Sequence, residues 1–448
     1  MIPIATPSEM KSIDEASTES IEILIQRAGS AIAWGARRLL KGTYGKRVVV
    51  LAGKGNNGAD GRVAGNYLKK WGIKAIEYSP QDAPKRLPPC DLVIDAAFGT
   101  GIRGTYNAPI TEAPVLAVDI PSGINGLTGE KMGLPFQAHQ TITFQALKPG
   151  HLFPPGSDYT GELLVADIGL DVSSVATFQV ESTDIGRWLP SRASTAHKWN
   201  SACWVIGGSP GMSGALSLTS QAAQRAGAGY VRISSPGGHA KGSLESVSYS
   251  LPEKGWEKCL AEDIHRFKTG ILGPGLGQSI SNADGIRNAL SIAKIPLVLD
   301  GDAISAVGQD HHLLRSRKEE TILTPHDREF EYLFGSKPGL RRIEEVRKAA
   351  ELTDSIILLK GPVTIIASPD GRCFMVSNGD SRLATAGTGD VLSGIIGGFL
   401  AQGTSGLEAA AMGAWIHAKA GQSFPKRGMV ASDLINAIPE ALNATDMG

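Results

Sequence analysis

The residues most suited to chemistry lie in the run LATAGTGDVLSG, where glycines surround a single carboxylate. Gly387 and Gly389 flank Thr388, and Asp390 follows directly. If a helix begins here, the backbone amides of the first three residues would converge on a bound anion. An anion site beside a carboxylate that can accept a hydroxyl proton is what phosphoryl transfer needs. A helix cap among closely packed helices is the purely structural alternative.

Three further segments of the same half place glycines or polar groups after β-rich runs. GPGLG ends at Gly277 and would let a ligand approach the backbone closely. TPHDREF contains His326, and SIILLK ends on Lys360, where a nucleotide phosphate could be reached. A single histidine or lysine is more often structural than functional, so neither predicts a site by itself.

The first half carries a second set of loops after apolar runs. KRVVVLAG leads into GKGNNGADG, which could present backbone amides to an anion and places Asp60 near a helix start. This loop lacks the terminal GK[ST] of a P-loop, which argues against Walker-type NTP hydrolysis. DLVIDAAFGTGIRGT and VLAVDIPSG place Asp95, Asp119 and Ser122 at two more strand ends. Because ligands bind outside the carboxyl ends of strands in open α/β sheets, the three loops together predict one site. Helix capping by Asp95 and Asp119 is the alternative.

Short β-branched runs, separated by helical patterns, must position these loops. Several runs are apolar throughout, which is typical of strands covered on both faces. The alternation predicts an α/β chain with parallel sheets and right-handed crossovers, and a hairpin is predicted to turn at Pro369–Gly371. A long helix is predicted to open the chain near Pro7. Its apolar positions would be Ile21, Leu24, Ile25, Ala28 and Ile32. The predicted strands are Arg47–Leu51, Asp91–Ala96, Val115–Val118, Ala202–Ile206, Gly270–Leu272, Pro296–Leu299 and Ser355–Leu359.

The two sets of loops lie in different halves of the 448-residue chain. Between them, residues 171–192 have mixed polarity and no strong period. We therefore predict two α/β domains, residues 1–185 and 186–448.

Bulk properties argue against several classes of protein. The 44 basic residues balance the 44 acidic ones, whereas nucleic-acid and anionic-membrane binders need a basic surplus. The four cysteines form no CxxC pair, so neither a zinc site nor a disulfide framework follows. We find neither a signal-peptide pattern nor a membrane-length apolar run, and expect a soluble, cytoplasmic protein.

GKGNNGADG, DAAFGTGIRG and VDIPSG, in that order, resemble the NAD(P)H-hydrate epimerase family, the YjeF N-terminal domain. The resemblance implies a Rossmann-like three-layer fold and a potassium ion held by Asn57, Asp95 and Ser122. It also implies that Asp119 contacts the nicotinamide ring, where a positioned carboxylate could act as acid or base at C6. Ala59 stands where the family usually has glycine, and a positive φ would strain alanine there. The residues implied to hold the dinucleotide hydrate are Asn56, Asn57, Gly58, Ala59, Asp60, Gly99, Thr100, Gly101, Ile102, Arg103, Gly104 and Thr105.

The second half resembles the ribokinase-like superfamily and, within it, the ADP/ATP-dependent NAD(P)H-hydrate dehydratases. The motifs that carry this resemblance are GGS, SGA, AGAG, GPGLG, TPH, KGP and AGTGD, in that order. The resemblance implies magnesium accompanying ADP or ATP, although no dedicated ligand cluster is evident. The implied contacts to the hydrated nicotinamide are Ala215, Gly277, His326 and Asp390. The implied nucleotide-binding residues are Lys360, Gly361, Pro362, Val363, Thr364 and Asp380–Gly389, among them Ala386, Gly387, Thr388 and Gly389.

Together the two resemblances imply a bifunctional repair enzyme. Its first half would interconvert the R and S forms of NADHX and NADPHX, the hydrated dinucleotides. Its second half would dehydrate the S form to NADH or NADPH with ADP, which we favour over ATP, and the family suggests a homo-oligomer. The alternatives are a ribokinase-like small-molecule kinase with a non-catalytic N-terminal binding module, and a scaffold without catalysis. Neutral charge and the presence of Asn57, Asp95 and Asp119 favour catalysis.

Overall fold

The computed structural model describes residues 1–238 and 240–445. The chain divides into two compact units, an N-terminal unit, Ile2–Thr177, and a C-terminal unit that begins at Phe178. Val180 and Ile185, which precede the boundary expected from the sequence, are buried in the core of the C-terminal unit. Within the described ranges, no helix is both long and apolar enough to cross a membrane.

The N-terminal unit alternates strands and helices. Its main sheet has six strands in the order β3-β2-β4-β6-β8-β9, and all neighbouring strands are parallel. Its strands are β1 (Ile2–Pro3), β2 (Arg47–Ala52), β3 (Lys74–Tyr78), β4 (Leu92–Ala96), β5 (Tyr106–Asn107), β6 (Val115–Val118), β7 (Gly133–Leu134), β8 (Gln140–Phe144) and β9 (Glu162–Ala166). Its helices are α1 (Pro7–Ala16), α2 (Ile21–Leu40), α3 (Asn56–Lys70) and α4 (Pro149–Leu152).

Strand β2 is apolar throughout because both of its faces are covered. Val48 and Val50 lie in one core cluster with residues of α2 and α3, whereas Val49 and Leu51 lie in a second cluster. A strand buried on both faces loses the polar–apolar alternation of a half-exposed strand. The sequence pattern therefore predicted the layered architecture correctly.

The prediction of one long helix from Pro7 is wrong, because the chain forms two helices. Thr6 caps α1 in a capping box with Glu9. Ser17 leaves the helix with an extended backbone, and its hydroxyl accepts a hydrogen bond of 3.2 Å from the Glu19 amide. Serine side chains compete in this way with the helical backbone bonds, so α2 begins anew at Ile21.

The C-terminal unit is built on one large sheet. From β19 its strands follow the order β19-β18-β17-β16-β15-β14-β11-β12-β13. Its strands are β10 (Thr177–Gln179, which begins at the division), β11 (Ala202–Ile206), β12 (Tyr230–Ser234), β13 (Val247–Ser248), β14 (Thr269–Leu272), β15 (Leu297–Leu299), β16 (Thr321–Leu323), β17 (Ile356–Leu359), β18 (Thr364–Ala367) and β19 (Cys373–Val376). Its helices are α5 (Ser182–Trp188), α6 (Ser213–Arg225), α7 (Leu260–Asp263), α8 (Ile280–Ile292), α9 (Asp302–Val307), α10 (His312–Arg315), α11 (Asp327–Phe334), α12 (Arg342–Thr353), α13 (Thr388–Ala401), α14 (Gly406–Gln422) and α15 (Ala431–Asn443).

The pairing within this sheet confirms the predicted α/β class. The pairs from β13 to β17 are parallel, whereas β17, β18 and β19 pair antiparallel. The hairpin predicted around Pro369–Gly371 is the connection between β18 and β19. The glycines of α13 allow close packing on α6, because a Cβ at Gly398 would lie 2.7 Å from the carbonyl oxygen of Ala223. This packing fixes the start of α13 over the sheet.

Candidate active sites

A cavity of about 570 Å³ opens at the carboxyl ends of β2, β4 and β6 in the N-terminal unit. These three strands are neighbours in the sheet, so their loops meet at one edge. The predicted site residues that line the cavity are Asn56, Asn57, Gly58, Asp60, Gly99, Thr100, Gly101, Ile102 and Asp119. In this unit, which is described without gaps, the predicted residues that are not part of the lining are Ala59, Asp95, the segment Arg103–Thr105 and Ser122.

The predicted phosphate loop becomes helical earlier than its glycines suggest. Helix α3 begins at Asn56, and Gly55 occupies the N-cap. Ala59 lies in the first turn, where its amide donates a 3.1 Å hydrogen bond to the Gly55 carbonyl. A right-handed helical backbone suits alanine, so replacement of the family's usual glycine introduces no strain. The free amides of this first turn face the cavity and suit an anionic group.

Asp95 lies at the end of β4 in a fully buried polar cluster. Its carboxylate accepts hydrogen bonds of 2.9 Å from the Ser122 amide and 2.7 Å from the Ser122 hydroxyl. Burial raises the pKa of Asp95 to about 6, although the bonds from Ser122 and Ala97 oppose this shift. In the same unit, both side-chain polar atoms of Asn57 are buried without a hydrogen-bond partner. Carboxylate, hydroxyl and amide oxygens are the ligand types that a hard cation prefers.

Asp119 follows β6 and is held by three other residues. Its backbone is left-handed, with φ of 64°, an uncommon conformation for a non-glycine residue. The carboxylate oxygen Oδ1 accepts hydrogen bonds of 2.6 Å from Lys148 Nζ and 3.0 Å from the Thr143 hydroxyl. His151 Nδ1 accepts from the Lys148 amide, so Nε2 carries the proton and donates a 2.7 Å bond to the Asp119 carbonyl.

The surroundings of the carboxyl groups in the cavity give them different pKa values. Burial by itself would raise the pKa of Asp119, but Lys148, His151 and Thr143 together hold it below its ordinary value. Burial raises the pKa of Asp60 to about 8, and the negative charges of Asp119 and Asp14 contribute to this increase. At neutral pH one carboxyl of this cavity is therefore ionised and another is protonated.

Sequence reasoning missed Lys148, which is only 2% exposed. The residue lies between the end of β8 and Pro149, in the run QALKPG. A position a few residues after a buried strand and directly before a helix-starting proline is unusual for a lysine, whose charge is normally solvated. That position was the only available signal, and it gave no indication of the partner.

In the C-terminal unit, Gly387 provides the turn that starts α13. It has φ of +88° and occupies the N-cap. The Thr388 amide donates a 3.3 Å bond to the Thr385 carbonyl, so it is less available to a ligand than predicted. The amides of Gly389 and Asp390 belong to the first helical turn, which lacks acceptors within the helix. The amides that remain available to an anion are thus those of Gly389 and Asp390, one residue later along the chain than expected.

Lys360, expected near a nucleotide phosphate, lies in an ion-pair cluster beneath this turn. Its Nζ is 3.1 Å from Asp300 Oδ1 and 3.5 Å from Glu329 Oε2. The two carboxylates hold the pKa of Lys360 above its ordinary value although burial opposes them. A Cβ at Gly389 would lie 3.5 Å from Nζ. The ammonium group therefore lies against the turn that carries Asp390.

Asp300 connects this cluster to three elements of the fold. Besides Lys360, it accepts hydrogen bonds of 2.7 Å from the Thr324 hydroxyl and 2.8 Å from the Ser393 hydroxyl. Burial raises the pKa of Asp390 to about 7, with a further increase from Asp300 that Lys360 partly offsets. A carboxyl poised near neutral pH suits a general base. Sequence reasoning did not single out Asp300, which lies in the run VLDGDAI.

The remaining predicted contacts lie at neighbouring strand ends. His326 caps α11, where its Nδ1 accepts bonds of 3.1 Å from the amides of Arg328 and Glu329. The Gly277 amide donates a 2.7 Å bond to the Asp302 carboxylate. Ala215 lies next to the same glycine loop, because a Cβ at Gly275 would be 2.9 Å from the Ala215 methyl group. Gly361, Pro362 and Val363 lie in the connection from β17 to β18, and Thr364 is the first residue of β18. Ala386 is exposed and directly precedes Gly387.

Comparison with known proteins matches both units. Residues 203–442 match the NAD(P)H-hydrate dehydratase family, and residues 21–83 and 69–150 match the YjeF-related protein N-terminus. The bifunctional NAD(P)H-hydrate repair enzyme of Moorella thermoacetica is 33% identical, with 98% of this chain and 96% of that protein covered.

Two solved structures resemble the C-terminal unit. The ADP/ATP-dependent NAD(P)H-hydrate dehydratase of Bacillus subtilis, co-crystallized with ATP and Mg²⁺, has a TM-score of 0.50 and 26% identity, covering 59% of this chain and 97% of that chain. A ribokinase-like superfamily protein from Enterococcus faecalis has a TM-score of 0.52 at 23% identity, covering 60% of this chain and 96% of that chain, which supports the fold alone. The chain belongs to the family of bifunctional NAD(P)H-hydrate repair enzymes.

Proposed function

We propose that this protein repairs hydrated NADH and NADPH in two steps. The N-terminal unit interconverts the R and S hydrates, and the C-terminal unit dehydrates the S hydrate at the expense of ADP or ATP. The observation that carries the proposal is the presence, in one chain of this family, of two separate sites with a poised carboxyl group in each. A dehydratase that accepts one epimer would leave the other unrepaired, so an epimerase on the same chain completes the repair.

In the dehydratase, Asp390 is the proposed general base. It removes the proton of the C6 hydroxyl while that oxygen attacks the terminal phosphoryl group of the nucleotide. The amides of Gly389 and Asp390 stabilise the negative charge during transfer. The C6–O bond then breaks as the lone pair of the ring nitrogen moves in, phosphate leaves, and loss of a C5 proton restores the dihydronicotinamide. The proposed substrate contacts are Ala215, Gly277 and His326, and the proposed nucleotide contacts are Lys360–Thr364 and Ala386–Gly389.

In the epimerase, Asp119 is the proposed acid/base residue. Its ion pair with Lys148 keeps the carboxylate charged and oriented at the cavity wall. Inversion at C6 requires a bond to that carbon to break and to form again on the other face, and proton transfer by a positioned carboxylate assists both events. The free amides at the start of α3 would bind a phosphate of the dinucleotide.

Potassium is the proposed resident cation of the N-terminal site. Asn57, Asp95 and Ser122 would hold it, since the Asn57 amide lacks a partner and the buried Asp95 carboxylate has no cationic neighbour in this fully described unit. The ion would supply a positive charge that offsets the burial of Asp95. Replacing potassium by tetramethylammonium at constant ionic strength should slow epimerisation, and Asn57→Ala should abolish the difference. Equal rates in both salts would contradict the assignment.

Magnesium with ADP or ATP is proposed for the C-terminal site. Among the described residues no cluster of three or more His, Cys, Asp or Glu side chains suits a metal ion, so the nucleotide phosphates would supply most of the ligands. The cytoplasm as compartment and a homo-oligomeric assembly are also proposed. The free state of all four cysteines is compatible with a reducing compartment, and the assembly rests on the family resemblance.

The deciding experiment supplies purified protein with a mixture of both NADHX epimers, with and without ADP and magnesium. We expect nucleotide-dependent recovery of the dihydronicotinamide absorbance that consumes both epimers. No recovery with either ADP or ATP would refute the dehydratase. Phosphorylation of a small molecule in place of recovery would favour the kinase alternative. Recovery that stops when one epimer is exhausted would refute the epimerase.

A further inference from the structure

The cavity of the N-terminal unit is lined by more carboxyl groups than its one buried basic side chain can neutralise. Asp14 of α1, Asp60 of α3 and Asp119 after β6 all line it, and Lys148 is the buried cation. His151, the other titratable group in contact with this set, is buried and neutral at physiological pH, because burial and Lys148 lower its pKa to about 4. The distribution of protons among these carboxyls therefore depends on which of them Lys148 contacts.

Two further charged residues of the lining are open to solvent or already paired. Lys54, before α3, is exposed. Glu19, before α2, lies 3.0 Å from the guanidinium group of Arg27. Solvent screens the charge of an exposed group, and an ion pair partly cancels its own field. Of the basic side chains that line the cavity, Lys148 is therefore the one that decides the ionisation of Asp119.

Lys148 makes its ion pair with Asp119. Besides the 2.6 Å bond to Asp119 Oδ1, Nζ donates bonds of 2.7 Å to the Thr143 hydroxyl and 3.2 Å to the Ala146 carbonyl. An ammonium group has three protons, so these contacts use its donors. Both Lys148 and Thr143 bind Oδ1, whereas Oδ2 lies 3.6 Å from the position of a Cβ at Gly99, which lines the cavity. One oxygen of Asp119 is thus anchored while the other is available to a ligand.

Asp60 is in the opposite situation. It is only 7% exposed, and within the fully described N-terminal unit its side chain forms neither a hydrogen bond nor an ion pair. The charged groups that act on the pKa of Asp60 are Asp119 and Asp14, and both are negative. A buried carboxyl that lacks a counter-ion keeps its proton. Asp60 therefore faces the cavity as a neutral acid while Asp119 faces it as an anion.

This inference rests on the epimerase activity proposed above and names the groups that perform it. We propose that Asp119 accepts and Asp60 donates the proton that moves in each half of the C6 epimerisation. Lys148 is the positioning residue that gives the two carboxyl groups these opposite roles, because it pairs with Asp119 alone.

The chemistry balances without any further reactant. Asp119 takes the proton of the C6 hydroxyl, the C6–N1 bond breaks to leave an aldehyde at C6, and Asp60 protonates the released ring nitrogen. The aldehyde rotates about the C5–C6 bond and presents its other face. Asp60 then takes the proton back as the nitrogen attacks C6, and protonated Asp119 returns its proton to the oxygen. Both carboxyls end as they began, and the product is the opposite epimer.

The test measures epimerisation alone, by supplying one purified NADHX epimer without nucleotide and separating the epimers by chromatography. Asp60→Asn should lower kcat by about 100-fold or more and should remove the decline of rate at alkaline pH that deprotonation of Asp60 causes in the wild type. Asp158→Asn, which changes an exposed aspartate of the same unit away from the cavity, is the matched control and should behave as wild type. Wild-type kcat and an unchanged alkaline limb in Asp60→Asn would overturn the proposal.

The role of Lys148 has its own readout. Lys148→Met removes the cation, so the pKa of Asp119 should rise and the acid limb of the epimerase pH profile should move to higher pH. Thr143→Val removes one bond to the same oxygen and should move the limb in the same direction by less. An unmoved acid limb in both variants would overturn the positioning role. If Lys148→Met is too unstable to assay, an unmoved limb in Thr143→Val overturns it alone.

The second activity of the chain separates failure of this inference from failure of the proposed function. Dehydration of the S epimer with ADP reports the amount of folded C-terminal unit in every preparation, and the far-UV circular dichroism spectrum reports whether the N-terminal unit is folded as well. Wild-type protein that dehydrates but never epimerises would refute the epimerase itself. Wild-type protein that epimerises alongside a fully active Asp60→Asn variant would refute only the acid–base assignment.

Discussion

Replacing Asp390 by asparagine should remove the base of the dehydratase while leaving the C-terminal unit folded. Asparagine has nearly the same size but does not accept a proton at neutral pH. Positioned proton transfer contributes about 10²–10⁴-fold to rate, so kcat should fall by about that factor. The KM for ADP should change little, because Asp390 acts on the hydroxyl proton of the hydrate.

The pH profile provides a second measurement of the same residue. The pKa of Asp390 is raised to about 7, first by burial and then by Asp300. Only the ionised carboxylate accepts a proton, so the wild-type rate should rise with pH up to about 7 and then level off. The variant should lack this limb and retain a low, nearly constant rate.

Stability should move in the direction opposite to activity. The folded protein holds the Asp390 proton more tightly than the unfolded chain, since the pKa is about 7 against an ordinary 3.8. Ionisation of this group therefore lowers the free energy of unfolding as pH rises between those values, by up to about 4 kcal/mol. The asparagine side chain does not ionise, so the variant should unfold at a higher temperature than wild type at pH above about 7.

The assay combines steady-state kinetics on the S epimer with calorimetric melting across pH. Asp284→Asn is the control, because that carboxylate is 61% exposed and pairs with Arg287 on the surface of α8. A variant at position 390 that turns over at the wild-type rate would refute the base assignment. Loss of activity accompanied by loss of thermal stability at pH 8 would refute the electrostatic reasoning.

Three further predictions concern the two sites. Lys360→Met should raise the pKa of Asp390, because Lys360 lowers it; the acid limb of the dehydratase profile should then lie at higher pH, and an unmoved limb would contradict this. Wild type should lose stability as pH rises from 3.8 to about 8, because Asp60 ionises, and Asp60→Asn should not show this loss. Melting temperatures at pH 5 and pH 9 test it, and a difference between them as large in the variant as in wild type would speak against the buried acid. Gly387→Ala should destabilise the C-terminal unit by about 1–3 kcal/mol in urea unfolding, since φ is +88° and the new Cβ would lie 2.7 Å from Leu218; wild-type stability would disprove the strain.

Local features of both sites could be predicted from the sequence. The strand β6 was predicted with its observed bounds, Val115–Val118, and the turn before α13 followed from the AGTGD run. Each depends on residues adjacent in the chain, where apolar runs and glycines act directly on the backbone. The break between α1 and α2 was missed because apolar spacing suggested continuity, whereas Ser17 competes with the helical bonds.

The partners of the site residues could not be predicted in the same way. Lys148 lies 29 residues from Asp119, Lys360 lies 60 residues from Asp300, and Ser393 lies 93 residues from Asp300. These contacts exist because β6 and β8 are neighbours in one sheet, β15 and β17 lie on either side of β16 in the other, and α13 packs against β15. A one-dimensional pattern carries neither strand order nor helix packing.

The sequence by itself therefore determined the type of chemistry, through the residue types at the strand ends and the glycines that expose backbone amides. It also determined that two such sets occur in one chain. The tertiary structure alone decided the protonation state of each carboxyl, because burial and the nearest charge control a pKa. Asp119 is an anion since Lys148 faces it, Asp60 is neutral since no cation pairs with it in the fully described N-terminal unit, and Asp390 is poised near neutrality between Asp300 and Lys360.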